Sequence, residues 1–289
     1  MSVKNKVCET CDAFSSLPLI GGLLKPKEKV AVIRLSGVIA DSSVKRGGIS
    51  HARYEKTIEQ AFETYNLKAV ALVINSPGGS PAQSALVAGQ IRALAEDKDV
   101  PVYAFVEDVA ASGGYWLACA ADEIYATDVS IIGSIGVISS SFGFKELIGR
   151  YGIERRVHTS GKDKSFLDPF EDEKPGDVKR LKALQSALHA RFIDWVKTRR
   201  GEKLTGSDKA LFEGEFWESG AALELGLIDG IGEMKALMKE TFGDEVKFVD
   251  FGPERALISS LVGADAKANI ANDLAETLET RALWARFGL

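Results

Sequence analysis

Long apolar runs are missing from this chain of 289 residues. The best candidate for one, Phe14 to Leu24, is about half of the roughly 20 residues that a membrane-spanning helix needs, and Pro18, Gly21 and Gly22 interrupt it. It also lacks the small-residue cleavage pattern of a secretory signal. The stretch reads as a tether or packing segment, with peripheral membrane contact as the alternative and the cytoplasm as the expected location. Cysteine is scarce as well: Cys8, Cys11 and Cys119 are too few for a disulfide framework and fit a reducing compartment. Cys8 and Cys11 have a C-x-x-C spacing but no second pair, so no metal and no cofactor are expected. There is no basic excess either. Lys and Arg total 36 against 41 Asp and Glu, a net charge of −5 without a basic block, which argues against a nucleic-acid partner.

What is present is apolar residue content sufficient for a large core, 45% of the chain, arranged in runs that alternate with helical patterns. That alternation is the mark of repeated βαβ units and a parallel sheet, an α/β fold. The patterns predict strands over Val30 to Ile39, Leu67 to Asn75, Val100 to Val106, Glu123 to Ala126, Ser134 to Ser139, Glu154 to Thr159 and Val246 to Phe251. Helices are predicted near Tyr54 to Tyr65, Pro81 to Glu96, Ser112 to Ala120, Asp177 to Arg199, Glu218 to Leu225 and Glu233 to Phe242, with a turn at Asp229 to Gly232. Pro81 suits a first helical turn, where its missing N–H leaves no gap. In the long helix Leu181, Leu184, Leu188, Phe192 and Trp195 recur at three- and four-residue steps, which predicts one buried face. The organisation is then a tether over 1–28, a single α/β domain over 29–252, and an amphipathic helical tail over 253–289. The tail is marked by Ile270, Leu274, Leu278, Trp284 and Phe287.

Two of the strand-to-helix junctions are rich in small residues. Asn75-Ser76-Pro77-Gly78-Gly79-Ser80 follows one apolar strand, and Ala110-Ala111-Ser112-Gly113-Gly114-Tyr115 follows the next. A strand that stops at a tight turn and opens a helix exposes a side chain beside unpaired backbone N–H groups, which is where a nucleophilic serine belongs. Ser112 therefore needs a base. There are three histidines. His51 precedes a helix, His189 lies within the long helix, and His158, which ends a predicted strand, stays open as a base. The other option is a lysine whose amine is kept neutral by burial. Lys162 and Lys164 follow His158 directly, in the loop Ser160 to Gly176. Backbone amides at the two turns can hold an oxyanion: Gly113 supplies one, Gly79 the other, with Gly78 as the neighbouring alternative. Asn75 and Ser76 are expected to brace their turn.

The two turns, followed by Ile132-Gly133-Ser134-Ile135-Gly136-Val137 and then by Ser160-Gly161-x-x-Lys164, resemble the signal peptide peptidase A and SohB family of bacterial serine peptidases over about Val30 to Gly232. The resemblance implies a ClpP/crotonase-like fold, here with a C-terminal helical extension, and a Ser-Lys dyad. It implies Ser112 as nucleophile, Lys164 rather than Lys162 as general base, and Ser134 as the group that orients the lysine amine. It further implies cleavage of peptides or unfolded proteins through an acyl-enzyme, with signal-peptide remnants among the candidate substrates. Homo-oligomeric rings are expected, in which Lys164 serves its own subunit or a neighbour. A single Ser-Gly-Gly turn is expected to place the chain with the single-unit members, and the N-terminal anchor of many relatives is not expected here. A crotonase-type acyl-CoA enzyme and a catalytically inactive oligomeric scaffold are the alternatives on the same fold.

Overall fold

The computed structural model describes residues 27–41, 48–161, 163–253 and 280–289. Cys8, Cys11, the Phe14 to Leu24 stretch, Lys162 and the Ile270, Leu274 and Leu278 repeat lie outside the described residues. In chain order the elements are β1 (Lys29–Ser36), α1 (His51–Phe62), β2 (Leu67–Ser76), α2 (Pro81–Lys98), β3 (Val102–Ala111), α3 (Gly113–Ala118), β4 (Glu123–Ala126) and β5 (Ile131–Gly133). They continue with α4 (Lys145–Arg150), α5 (Pro175–Arg200), α6 (Asp208–Leu211), β6 (Phe216–Glu218), α7 (Ser219–Glu224), β7 (Gly230–Ile231), α8 (Met234–Phe242) and β8 (Lys247–Phe251).

The first strands are near-continuous apolar runs because both faces of the sheet are covered. Along β1 and β2, Ala31, Ile33, Leu35, Val70, Leu72 and Ile74 point into the core under α1 and α2. The alternate residues Val30, Val32, Ala69, Ala71 and Val73 pack on the other face with Met238 of α8. Strands β8, β1, β2 and β3 run side by side in parallel. On its far edge β3 serves two neighbours. Tyr103 to Val106 pairs with β4, while Val109 to Ala111 pairs with β5. The second half of β3 thus ends between Ser76 of β2 and β5, and the residue after Ala111 is delivered to the sheet's carboxyl end, where α/β folds place their ligands. Among the described strands β6 is the antiparallel one, added to β5.

Three expectations fail for one reason, the absence of a partner among the described residues. The predicted strands over Ser134 to Ser139 and Glu154 to Thr159 are not formed: both segments are irregular, and the edge beyond β5 is taken by β6. Helix α5 has the predicted period, but Leu184 and Leu188 are 53% and 44% exposed, and the helix is buried only at its later turns, by Phe192 and Val196. The turn at Asp229 to Gly232 contains the short β7, which pairs in parallel with β4.

The end of α5 is tied to the sheet by an enclosed ion pair. Arg200, whose side chain is 1% exposed, meets Asp229 at 2.6 Å and bonds the Gly226 carbonyl with Nε and Nη2 at 3.0 and 2.8 Å. Asp229 also accepts from Lys203 at 2.6 Å and from the Ile124 N–H at 2.7 Å. Burial works to raise the Asp229 pKa, but the bonds from Arg200, Lys203 and Ile124 outweigh it and hold the carboxyl below 3.8. A depressed carboxyl pKa contributes stability at pH values above the unfolded value of about 3.9, and that contribution is lost as pH falls through the folded value. Asp229→Asn is expected to cost about 3–5 kcal/mol at neutral pH, because it strands a buried guanidinium. It should also remove this component of acid sensitivity, and urea unfolding at pH 7 and pH 3 reads both effects.

Candidate active site

Ser112 has a backbone conformation that L-residues avoid, φ 52° and ψ −121°. Two sets of bonds impose it. Its N–H donates to Gly133 O at 2.8 Å, holding it to the end of β5, and its carbonyl accepts from the Tyr115 and Trp116 N–H groups at 2.9 and 3.0 Å, opening α3. The hydroxyl takes no part in capping that helix. Strain is thus concentrated at one serine whose side chain the local structure does not use.

The two glycine turns are in contact. A methyl group on Gly78 would lie 2.7 Å from Ala111 O, 2.8 Å from Gly113 N and 2.8 Å from Ser112 Cβ. One on Gly79 would lie 2.0 Å from Ile39 O. Both glycines have positive φ, 97° and 143°, so neither position accepts a side chain. The Ile39 N–H donates to Gly78 O at 2.8 Å and the Ser80 N–H donates to Ile39 O at 2.7 Å. The Gly79 amide is left pointing away from that pairing. As the first residue of α3, Gly113 likewise has no intrahelical acceptor for its N–H. Ser76 braces the turn by donating to Gly37 O at 2.7 Å and accepting from the Gly78 N–H at 3.2 Å, and the Asn75 amide donates to Asp108.

Ser134 stands in the same cleft. It too has positive φ, 53°, and is 7% exposed, with its N–H donating to Glu215 O at 2.6 Å. The cleft, about 690 Å³, is lined by Ser112, Ser134, Gly79, His189, Glu213 and Arg286 together with apolar neighbours. Behind Ser112 a small recess is walled by Trp116, Val137, Leu188 and Phe192. Trp116 is held there by its ring contact with Phe192, centroids 4.9 Å apart, and by the bond from Trp195 Nε1 to its carbonyl at 3.0 Å.

Ser112, Ser134, Gly79 and Gly113 are therefore brought together, while the candidate bases are not. Lys164 is exposed in its loop, its N–H bonded to Gly161 O at 3.2 Å, and it is not part of the cleft wall. His158 is exposed and also off the wall. The histidine that does face the cleft is His189, whose Nε2–H donates to Ile135 O at 3.1 Å and so props the segment that follows Ser134. Its position in mid-helix gave no sign of this. Cys119 is enclosed in the core, and burial pushes its thiol up to about 12, so it carries no thiolate at neutral pH.

A family model described as Peptidase family S49 matches residues 94–245. A protein of Brucella abortus named Na(+)/H(+) antiporter NhaA is 46% identical over 273 residues, which cover 90% of this chain and 37% of that protein. The chain thus spans little more than a third of that relative. A chloroplastic serine protease SPPA of Arabidopsis thaliana is 31% identical over 216 residues, covering 73% of this chain and 32% of that one. Protease 4 of Haemophilus influenzae is 30% identical over 207 residues, covering 71% of this chain and 33% of that one.

Proposed function

This chain belongs to peptidase family S49, the family of signal peptide peptidase A and SohB, and on that premise we propose that it is a serine endopeptidase cleaving unfolded peptides through an acyl-enzyme on Ser112. The observation that carries the reading is the elbow itself: a strained serine with an unused hydroxyl beside the open amides of Gly79 and Gly113. The ClpP/crotonase-like α/β fold of the family is the one described above. The antiporter name belongs to a much longer protein and is not carried over, since the family model falls on residues 94–245, which include Ser112, Ser134 and His189.

In the proposed reaction the Lys164 amine takes the Ser112 proton as Oγ bonds to the scissile carbonyl carbon. The Gly79 and Gly113 N–H groups hold the oxygen that becomes negative. Collapse expels the amine product, which receives the proton back from Lys164, and water then releases the acyl group by the same route in reverse. Ser134 accepts a hydrogen bond from the neutral lysine and aims it, the role a carboxylate plays in triads. The recess walled by Trp116, Val137, Leu188 and Phe192 suits a small or apolar side chain at the cleaved position.

Lys164 is supplied by a neighbouring subunit in this reading. Its own loop does not line its own cleft. The residues that lead to it carry exposed apolar side chains suited to an interface, Ile138 at 70%, Phe142 at 78% and Tyr151 at 76% exposure. A serine-reactive fluorophosphonate is expected to label the folded protein at Ser112, and casein digestion followed by mass spectrometry to show endoproteolytic products. Absence of both, with turnover of an acyl-CoA, would assign the cleft to crotonase chemistry instead. Absence of all three would leave a scaffold.

A further inference from the structure

The segment 280–289 is amphipathic by sequence, and the peptidase reading gives it no task, yet it forms part of the cleft. Residues 280–285 are helical. Phe287, 7% exposed, is inserted against Val109 and Ala111, in the stretch of β3 that ends at Ser112, with Ile131 and Trp284 around it. Its ring meets Phe216 of β6 edge-on at 5.2 Å. The segment is thus pinned directly beneath the nucleophile. Leu283 stands four residues before Phe287, one helical turn away. Together with Arg286 it lines the cleft that holds Ser112 and Ser134.

The charge of Arg286 is unanswered. Among the described residues no carboxylate pairs with its guanidinium, and its contact is with the ring of its own neighbour, Phe287, at 5.9 Å. Most of the wall is neutral, formed by Pro77, Pro81, Val137, Ile138 and the glycines. The other ionisable groups on it are His189 and Glu213. A planar fork of donors that meets no carboxylate among the described residues, exposed on the wall of a largely neutral cleft, matches a carboxylate in shape and charge. We propose that Arg286 is a specificity-determining residue that binds a carboxylate of the substrate peptide, an inference that rests on the peptidase reading of this cleft. Two sources of that group exist in a peptide, an acidic side chain and the free α-carboxylate. Glu213 repels a carboxylate from its own part of the wall, so the preference is for one anionic group rather than for an acidic run.

Four versions of one fluorescent peptide test this: a Glu or a Gln beside the cleaved bond, each with a free or an amidated C-terminus. Cleavage is measured as kcat/KM with the wild type, Arg286→Ala and Arg286→Lys. Binding is measured by anisotropy on the Ser112→Ala form of each. The wild type is expected to prefer a carboxylate-bearing version about tenfold, the value of one charged hydrogen bond. Arg286→Ala should erase that ratio, and Arg286→Lys should keep part of it, since an ammonium retains the charge but not the fork. Added salt should shrink it. Whichever pair shows the preference, Glu against Gln or acid against amide, names the source. A wild type with no preference, or a preference that survives in Arg286→Ala, overturns the proposal. Failure of the peptidase reading has a different signature: none of the four peptides is cut in a Ser112-dependent way, while anisotropy still reports whether Arg286 favours the carboxylate.

Discussion

Ser112→Ala is expected to lower peptide hydrolysis by a factor on the order of 10⁴ or more, with the protein folded and assembled as before. The size follows from the role: without Oγ there is no acyl-enzyme, and only the amides of Gly79 and Gly113 and the cleft remain to assist attack by water. The selectivity follows from the geometry. The Ser112 hydroxyl caps nothing, and the bonds that hold the elbow come from its N–H and carbonyl, which alanine retains. Alanine also inherits the same positive φ, so the backbone strain is unchanged to first order. Mass-spectrometric analysis of a casein digest reads the activity, while circular dichroism and size-exclusion chromatography read the fold. A variant that still cuts casein at a comparable rate would mean that the nucleophile lies elsewhere.

Features set by a short stretch of backbone were legible in the sequence. The runs of β1, β2 and β3 are apolar at every position because both faces of the sheet are covered, and this needs no knowledge of what covers them. The Ser-Gly-Gly elbow is equally local, since a strained serine followed by glycines has few other uses. Contacts between distant elements were not legible. Helix α5 has a regular apolar face, but whether Leu184 and Leu188 are covered depends on what lies opposite, and among the described residues they stay about half exposed. His189, Glu213 and Arg286 reach the cleft from three separate segments, and no spacing announces their meeting. The segments over Ser134 to Ser139 and Glu154 to Thr159 have strand composition without a strand beside them. The same gap appears at Lys164, which the resemblance names as the base and the chain leaves exposed. Each of these residues carries a pattern that asks for a partner, and in the proposed reading a subunit contact supplies it.

Lys164→Ala is therefore expected to be as inactive as Ser112→Ala, and mixing the two dead variants is expected to restore activity. If the base comes from a neighbour, a site needs Ser112 from one subunit and Lys164 from the next. Random exchange between equal amounts of the two variants then gives about a quarter of the sites both groups, by assortment around a heterologous contact. Recovered casein cleavage should approach that fraction of the wild-type rate once the mixture has been dissociated and reassembled. It should be lost if assembly is blocked, for which Phe142→Asp and Tyr151→Asp are suited, both residues being largely exposed in the single chain. The experiment separates three outcomes. Activity in Lys164→Ala alone would remove the lysine from the mechanism and return attention to His158 and His189. Two inactive variants that stay inactive when reassembled would place Lys164 and Ser112 in the same subunit, requiring the loop from Gly161 to Asp168 to move onto its own cleft. Restoration would make assembly a condition of catalysis, because the nucleophile, the oxyanion amides and Ser134 are prearranged in each subunit while the proton acceptor arrives with the next one.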